Sequence, residues 1–194
     1  VHPGMFHQRG MKLPDGSVRQ MDDVPSAAEL HSLGAEIVST TQPQRLLDGL
    51  FHVSGEIPRV TPFERGLPGQ MRRTAPDAPW ESDELLMDER WIAVNVQDKG
   101  LVVLSACSHA GIVNVLHHAR ASFPGVPLHA VLGGLHLSGT NEKIIPETIA
   151  ALKGFGLARI GAGHCTGWRA MAALGQAFGD DVLAPSAVGK RYWF

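Results

Sequence analysis

The chain is poor in cysteine, in net charge and in long apolar runs. It has only Cys107 and Cys165, too few for a disulfide scaffold, so a reducing cytoplasm is the expected setting. Lysine and arginine number 17 against 19 acidic residues, a formal net charge of -2. That balance excludes a nucleic-acid or membrane surface built on bulk charge. No apolar run approaches the roughly 18–20 residues of a spanning helix. No internal repeat or low-complexity segment is present. The expected partner is a small-molecule substrate, with a second copy of the chain allowed: no nucleic acid and no membrane.

What is present suits an enzyme. Hydrophobic residues make up 44% of the 194 positions, enough for a real core in a single domain over 1–194. Glycine (22) and proline (13) are abundant, which favours a loop-rich fold over a helical bundle. Residues 1–25 are polar and broken by prolines, with a turn signal at Asp15-Gly16. Ser26 is expected to cap a short helix ending at Gly34. Ala35–Val38 and Gly49–Val53 read as strands. Residues 55–90 carry five prolines and no sustained period. They read as a long loop: a lid, a binding loop or a poorly ordered excursion.

From residue 91 the pattern sharpens. Strands are expected over Trp91–Val96, Leu101–Leu104, Leu128–Leu132 and Ala158–Ile160. Helices are expected over about 111–122, from Ile145 to Leu152 and from Trp168 to Phe178. This alternation makes the C-terminal half an α/β arrangement.

Three histidines follow three of those strands. They are His109 in Cys107-Ser108-His109-Ala110-Gly111, His136 in Gly133-Gly134-Leu135-His136, and His164 in Gly163-His164-Cys165-Thr166-Gly167. Strands that end together gather such residues at one sheet edge, where open α/β folds place ligands. Imidazole is a common ligand of zinc, iron and manganese, so the three point to a metal site. A Cys/His nucleophile using Cys107 or Cys165 is the competing chemistry. His117 and His118 on the same predicted helix are expected to be solvated. Tyr192-Trp193-Phe194 are expected to pack.

Those motifs, with Gly55-Glu56-Ile57-Pro58-Arg59, Phe63-Glu64 and Asp88-Glu89, resemble the metallo-β-lactamase-fold metallohydrolase superfamily. The resemblance is to its dihydropterin-ribofuranosyl-aminobenzene-phosphate synthase-like branch. It covers nearly the whole chain and departs from the branch only slightly at Ala106 and Leu135. The superfamily's His-x-His-x-Asp-His motif is absent from these residues. The chain opens Val1-His2-Pro3-Gly4, without a methionine, as expected of a fragment that starts after that motif.

The resemblance implies an αββα sandwich, N-terminally incomplete, with a sheet edge and apolar surface left uncovered. It also implies a pair of divalent metals, zinc first and iron or manganese as alternatives, that activate water. His109 and His164 would be metal ligands. His136 would be a third ligand or a substrate contact. Glu56 would contact or buttress the site, Arg59 and Arg65 would steer an anionic or phosphorylated substrate, and Thr166 would cap the last helix. Residues 1–194 alone are expected to show impaired catalysis, little or none, because the first motif is missing. The rival to such a hydrolase is a non-catalytic small-molecule or partner-binding protein of the same fold that lacks the first metal motif. The thiol reading makes its own prediction. Alkylation of Cys107 or Cys165 should abolish activity while chelators spare it, and the reverse pattern would contradict it.

Overall fold

The computed structural model describes all residues 1–194. Its strands fall into two sheets. The larger has the order β10-β9-β8-β7-β4-β3, formed by β3 (Gln44–Leu46), β4 (Phe51–Val53), β7 (Trp91–Val96), β8 (Gly100–Ser105), β9 (Leu128–Gly134) and β10 (Arg159–Gly163). The smaller has the order β2-β1-β5-β6, from β1 (Gln8–Lys12), β2 (Val18–Gln20), β5 (Gln70–Arg73) and β6 (Glu81–Ser82).

In the larger sheet β8, β9 and β10 run parallel, while β7 and β4 are antiparallel to their neighbours. Helices α2 (Ile112–Ser122) and α3 (Ile145–Lys153) make the crossovers between the parallel strands, and α4 (Trp168–Phe178) follows β10. Alternation sends Ala93, Val103, Val131 and Ile160 to one face. There they join Ile112, Leu116, Leu152 and Leu174 in one buried cluster. The paired residues Ile92 and Leu104 point the other way and are 41% and 39% exposed. The apolar surface is thus partly uncovered, as expected. The outer edge of β10 is covered: the Ile160 amide donates to the Val182 carbonyl, and the Ile160 and Ala162 carbonyls accept from the Ala184 and Ser186 amides. No helix is long and apolar enough to cross a membrane.

The elements after residue 90 match expectation to within a few residues. Helix α1 (Ala27–Ser32) also forms as read, with Ser26 and Glu29 making a capping box. Three readings are corrected. Ala35–Val38 is not a strand, because no neighbour takes it up, and Val38 remains 48% exposed. Residues 1–25 hold a hairpin, β1–β2, folded around the Asp15-Gly16 turn. The 55–90 segment is not structureless, since β5 pairs with β1 and β6 with β5. These strands are mostly polar, so alternation did not reveal them.

Among the side residues, His117 is exposed as expected. His118 is half-buried and accepts a hydrogen bond from the Trp91 indole at 3.2 Å. Trp193 is 86% exposed rather than packed.

Helix α2 anchors the core through Leu116, which is fully buried. Leu116→Ala should cost about 2–5 kcal/mol in urea unfolding. A loss below about 1 kcal/mol would mean that α2 is not packed as described.

Candidate metal centre

Parallel pairing puts the ends of β8, β9 and β10 at one edge, with Ser105 beside Gly133 and Gly134 beside Gly163. Each strand leads into a turn with a non-glycine residue in the left-handed region. These are Ser108 (φ 60), His136 (φ 49) and His164 (φ 52). Such backbone costs of order 1–3 kcal/mol per residue and is held only where its surroundings fix it.

The turn after β8 is held most tightly. The amides of His109 and Ala110 each donate to the Glu89 carboxylate at 2.6 Å. The Ser108 hydroxyl donates to the Gly134 carbonyl at 2.7 Å, tying this turn to β9. Helix α2 begins at Gly111 with no cap of its own. Glu64 caps it from a distance, accepting from the Val113 and Asn114 amides at 2.8 Å each. The Asn114 side chain donates to the Ala110 carbonyl and accepts from the Val60 and Thr61 amides. A Cβ at Gly111 (φ 90) would meet the Glu64 carboxyl carbon at 2.1 Å, so this close approach requires glycine.

Both carboxylates are buried, and burial raises their pKa values. The amide bonds and the Arg59 charge oppose that rise. Arg59 donates to the carbonyls of Ile57 and Leu85.

The histidines converge unevenly. His109 and His136 meet edge to face, with ring centroids 4.5 Å apart and planes at 82°. His109 Nδ1 lies 3.6 Å from Glu89. His136 Nδ1 is buried without a hydrogen-bond partner, while Asn141 donates to the His136 carbonyl at 3.0 Å. Burial, helped by His109, pushes the His136 pKa down to about 4. Burial also lowers that of His109, against the pull of Asp88. Both rings are therefore neutral near pH 7, with lone pairs free for a metal. His164 is exposed. Its Nδ1 faces the Cys107 thiol at 3.9 Å. The donor chemistry and the orphaned Nδ1 fit a divalent metal.

Of the other predicted residues, Arg65 lines the cleft with His109 and His136. It also lines an adjoining groove of about 650 Å³ that includes Lys143. Glu56 is on the surface, 3.0 Å from His2 Nε2. Thr166 does not cap the last helix, whose N-cap is Gly167. It is buried, donating to the Gly163 carbonyl at 2.6 Å and accepting from the Leu135 amide at 3.1 Å. It thereby braces the β9 and β10 turns. Burial pushes the Cys107 thiol up to about 11, the reverse of an activated nucleophile. Glu64, Glu89 and Asn114 received no role from sequence, although Glu64 and Glu89 lie in stretches that carried the resemblance.

Comparison with known proteins bears on the fold. A crystal structure of a metal-dependent hydrolase of the β-lactamase superfamily superposes with a TM-score of 0.75 at 20% identity, covering 95% of this chain and 66% of that one. The chain has the metallo-β-lactamase fold. Within that fold it is 30% identical over 185 residues to the 7,8-dihydropterin-6-methyl-4-(β-D-ribofuranosyl)-aminobenzene-5'-phosphate synthase of Methanocaldococcus jannaschii. The match covers 93% of this chain and 61% of the synthase. The metallo-β-lactamase-fold chain thus spans less than two thirds of each of these proteins. No family model matches it.

His136 gives a pH prediction for the metal-free chain. Its unfolded imidazole takes a proton near 6.5 and the folded one near 4. Between those values the unfolded state binds more protons. Stability should therefore fall as pH drops from 6.5 towards 4, and less so in His136→Gln. Proton NMR should find the His136 ring neutral at pH 5.5. A ring titrating near 6.5 would contradict its burial.

Proposed function

We propose that this chain supplies the His109, His136 and His164 side of a metal-dependent hydrolase centre acting on a small, anionic, phosphorylated substrate. The observation that carries this reading is the meeting of two neutral imidazoles over a buried, unpartnered Nδ1 at the ends of parallel strands. Zinc is the preferred ion, with iron or manganese as alternatives. Such an ion, when bound, lowers the pKa of a coordinated water towards neutrality and polarises a phosphoryl or acyl oxygen.

The residues of the chain do the rest. Glu89 fixes the His109 turn through two amide bonds. Arg65 and Lys143 lend positive charge to the groove beside the histidines, where they attract a phosphate. The relative is itself named for making a ribofuranosyl-aminobenzene 5'-phosphate, a phosphorylated small molecule. The setting proposed is cytoplasmic, in keeping with two free cysteines.

Elemental analysis of the purified chain, followed by phosphoester assays, tests the reading. About one or more metal equivalents per chain are expected. His109→Ala and His136→Ala should each hold less metal than the unsubstituted chain. Glu89→Gln should weaken metal binding by roughly 10–100-fold, as outer partners of ligands do. Metal content undiminished in both histidine variants would overturn the assignment. Phosphoester turnover that falls together with metal content in these variants would favour the hydrolase over the non-catalytic binding protein.

A further inference from the structure

The thiols of Cys107 and Cys165 have no part in that chemistry. They nevertheless share a site with His164. The ligand atoms of Cys107, His164 and Cys165 all lie within 4.8 Å of one another. The Cys107 sulfur is 3.9 Å from His164 Nδ1. The Cys165 thiol donates to the Cys107 carbonyl at 3.3 Å, which fixes it across the gap between the β8 and β10 turns. Gly134 makes the room: a Cβ there would stand 2.7 Å from the Cys165 sulfur. His164 is exposed and both cysteines are half-buried, so the three donors are open to solvent on one side.

We propose that Cys107, His164 and Cys165 form a three-ligand site for a thiophilic metal ion, with an open fourth position. A tetrahedral ion with bonds of about 2.3 Å to sulfur and 2.0 Å to nitrogen spaces its ligands about 3.5–3.8 Å apart. The donors need only contract slightly to reach that spacing. Two sulfurs and one nitrogen select zinc, cadmium or copper(I) over magnesium or calcium. On binding, each thiol releases its proton to solvent and its sulfur lone pair forms the new bond; no electron changes hands. A disulfide would close the sulfurs to about 2.05 Å and leave the imidazole unused, whereas the thiophilic site uses all three groups. The site shares His164 with the proposed hydrolytic centre but stands without it. A thiophilic ion here would withdraw His164 from the other histidines.

Cadmium alone, titrated into the reduced full chain, tests this. The expected result is about one equivalent bound with sulfur-to-cadmium charge-transfer absorption. The band should persist in His109→Ala. Affinity should fall at least about tenfold in Cys107→Ser and in Cys165→Ser, with circular dichroism verifying that each variant folds. In the unsubstituted chain, bound cadmium should protect both thiols from alkylation, which needs no variant. No band in the folded chain, an undiminished band in both serine variants, or a pair already joined as a disulfide without reductant would each overturn the site. No phosphoester turnover before cadmium is added, with this band then forming normally, would count against the hydrolase reading alone.

Discussion

The site depends on two carboxylates that are out of water. A buried carboxylate is costly unless several donors face it. Glu89 meets the His109 and Ala110 amides, and Glu64 meets the Val113 and Asn114 amides. Those amides belong to a strained turn and an uncapped helix start, so each side supplies what the other lacks. Arg59 stands near enough for its charge to act on both carboxylates. Removing either glutamate would strand two or more buried N–H groups. The 55–90 segment therefore frames the His109 turn and the start of α2 through Glu89 and Glu64.

The same edge shows how backbone strain is distributed. Ser108, His136 and His164 all adopt left-handed φ values, one at the end of each parallel strand. The strain at Ser108 is held by its hydroxyl on the Gly134 carbonyl, and that at His136 by Asn141. Thr166 ties the β9 turn to the β10 turn. Each turn is thus fixed partly by the next. Parallel pairing of β8, β9 and β10 then brings their ends together, so the histidines gather from positions 27 and 28 residues apart in the chain.

Much of this was legible in the sequence, for reasons that can be named. Trp91–Val96, Leu101–Leu104 and the three later helices have strong apolar periodicity, because one face of each meets the core. The three histidines stood out because they share a context. The β1, β2, β5 and β6 strands were hidden because their residues are mostly polar and half-exposed. Ala35–Val38 reads as a strand but joins neither sheet. The roles of Glu64 and Glu89 were illegible because their partners lie 49 and 20 residues away, and nothing local marks a carboxylate as an amide acceptor. Thr166 carried a cap-like signal, but its hydroxyl turns back to Gly163 instead.

The account stands on the claim that Glu89 and Glu64 hold the His109 turn shut. Amide hydrogen exchange reads this directly, residue by residue. The His109, Ala110, Val113 and Asn114 amides should exchange as slowly as those of the core strands, although none bonds to a backbone carbonyl. Exchange at the rate of an open turn at His109 and Ala110 would contradict the claim, and with it the fixed placement of His109 against His136.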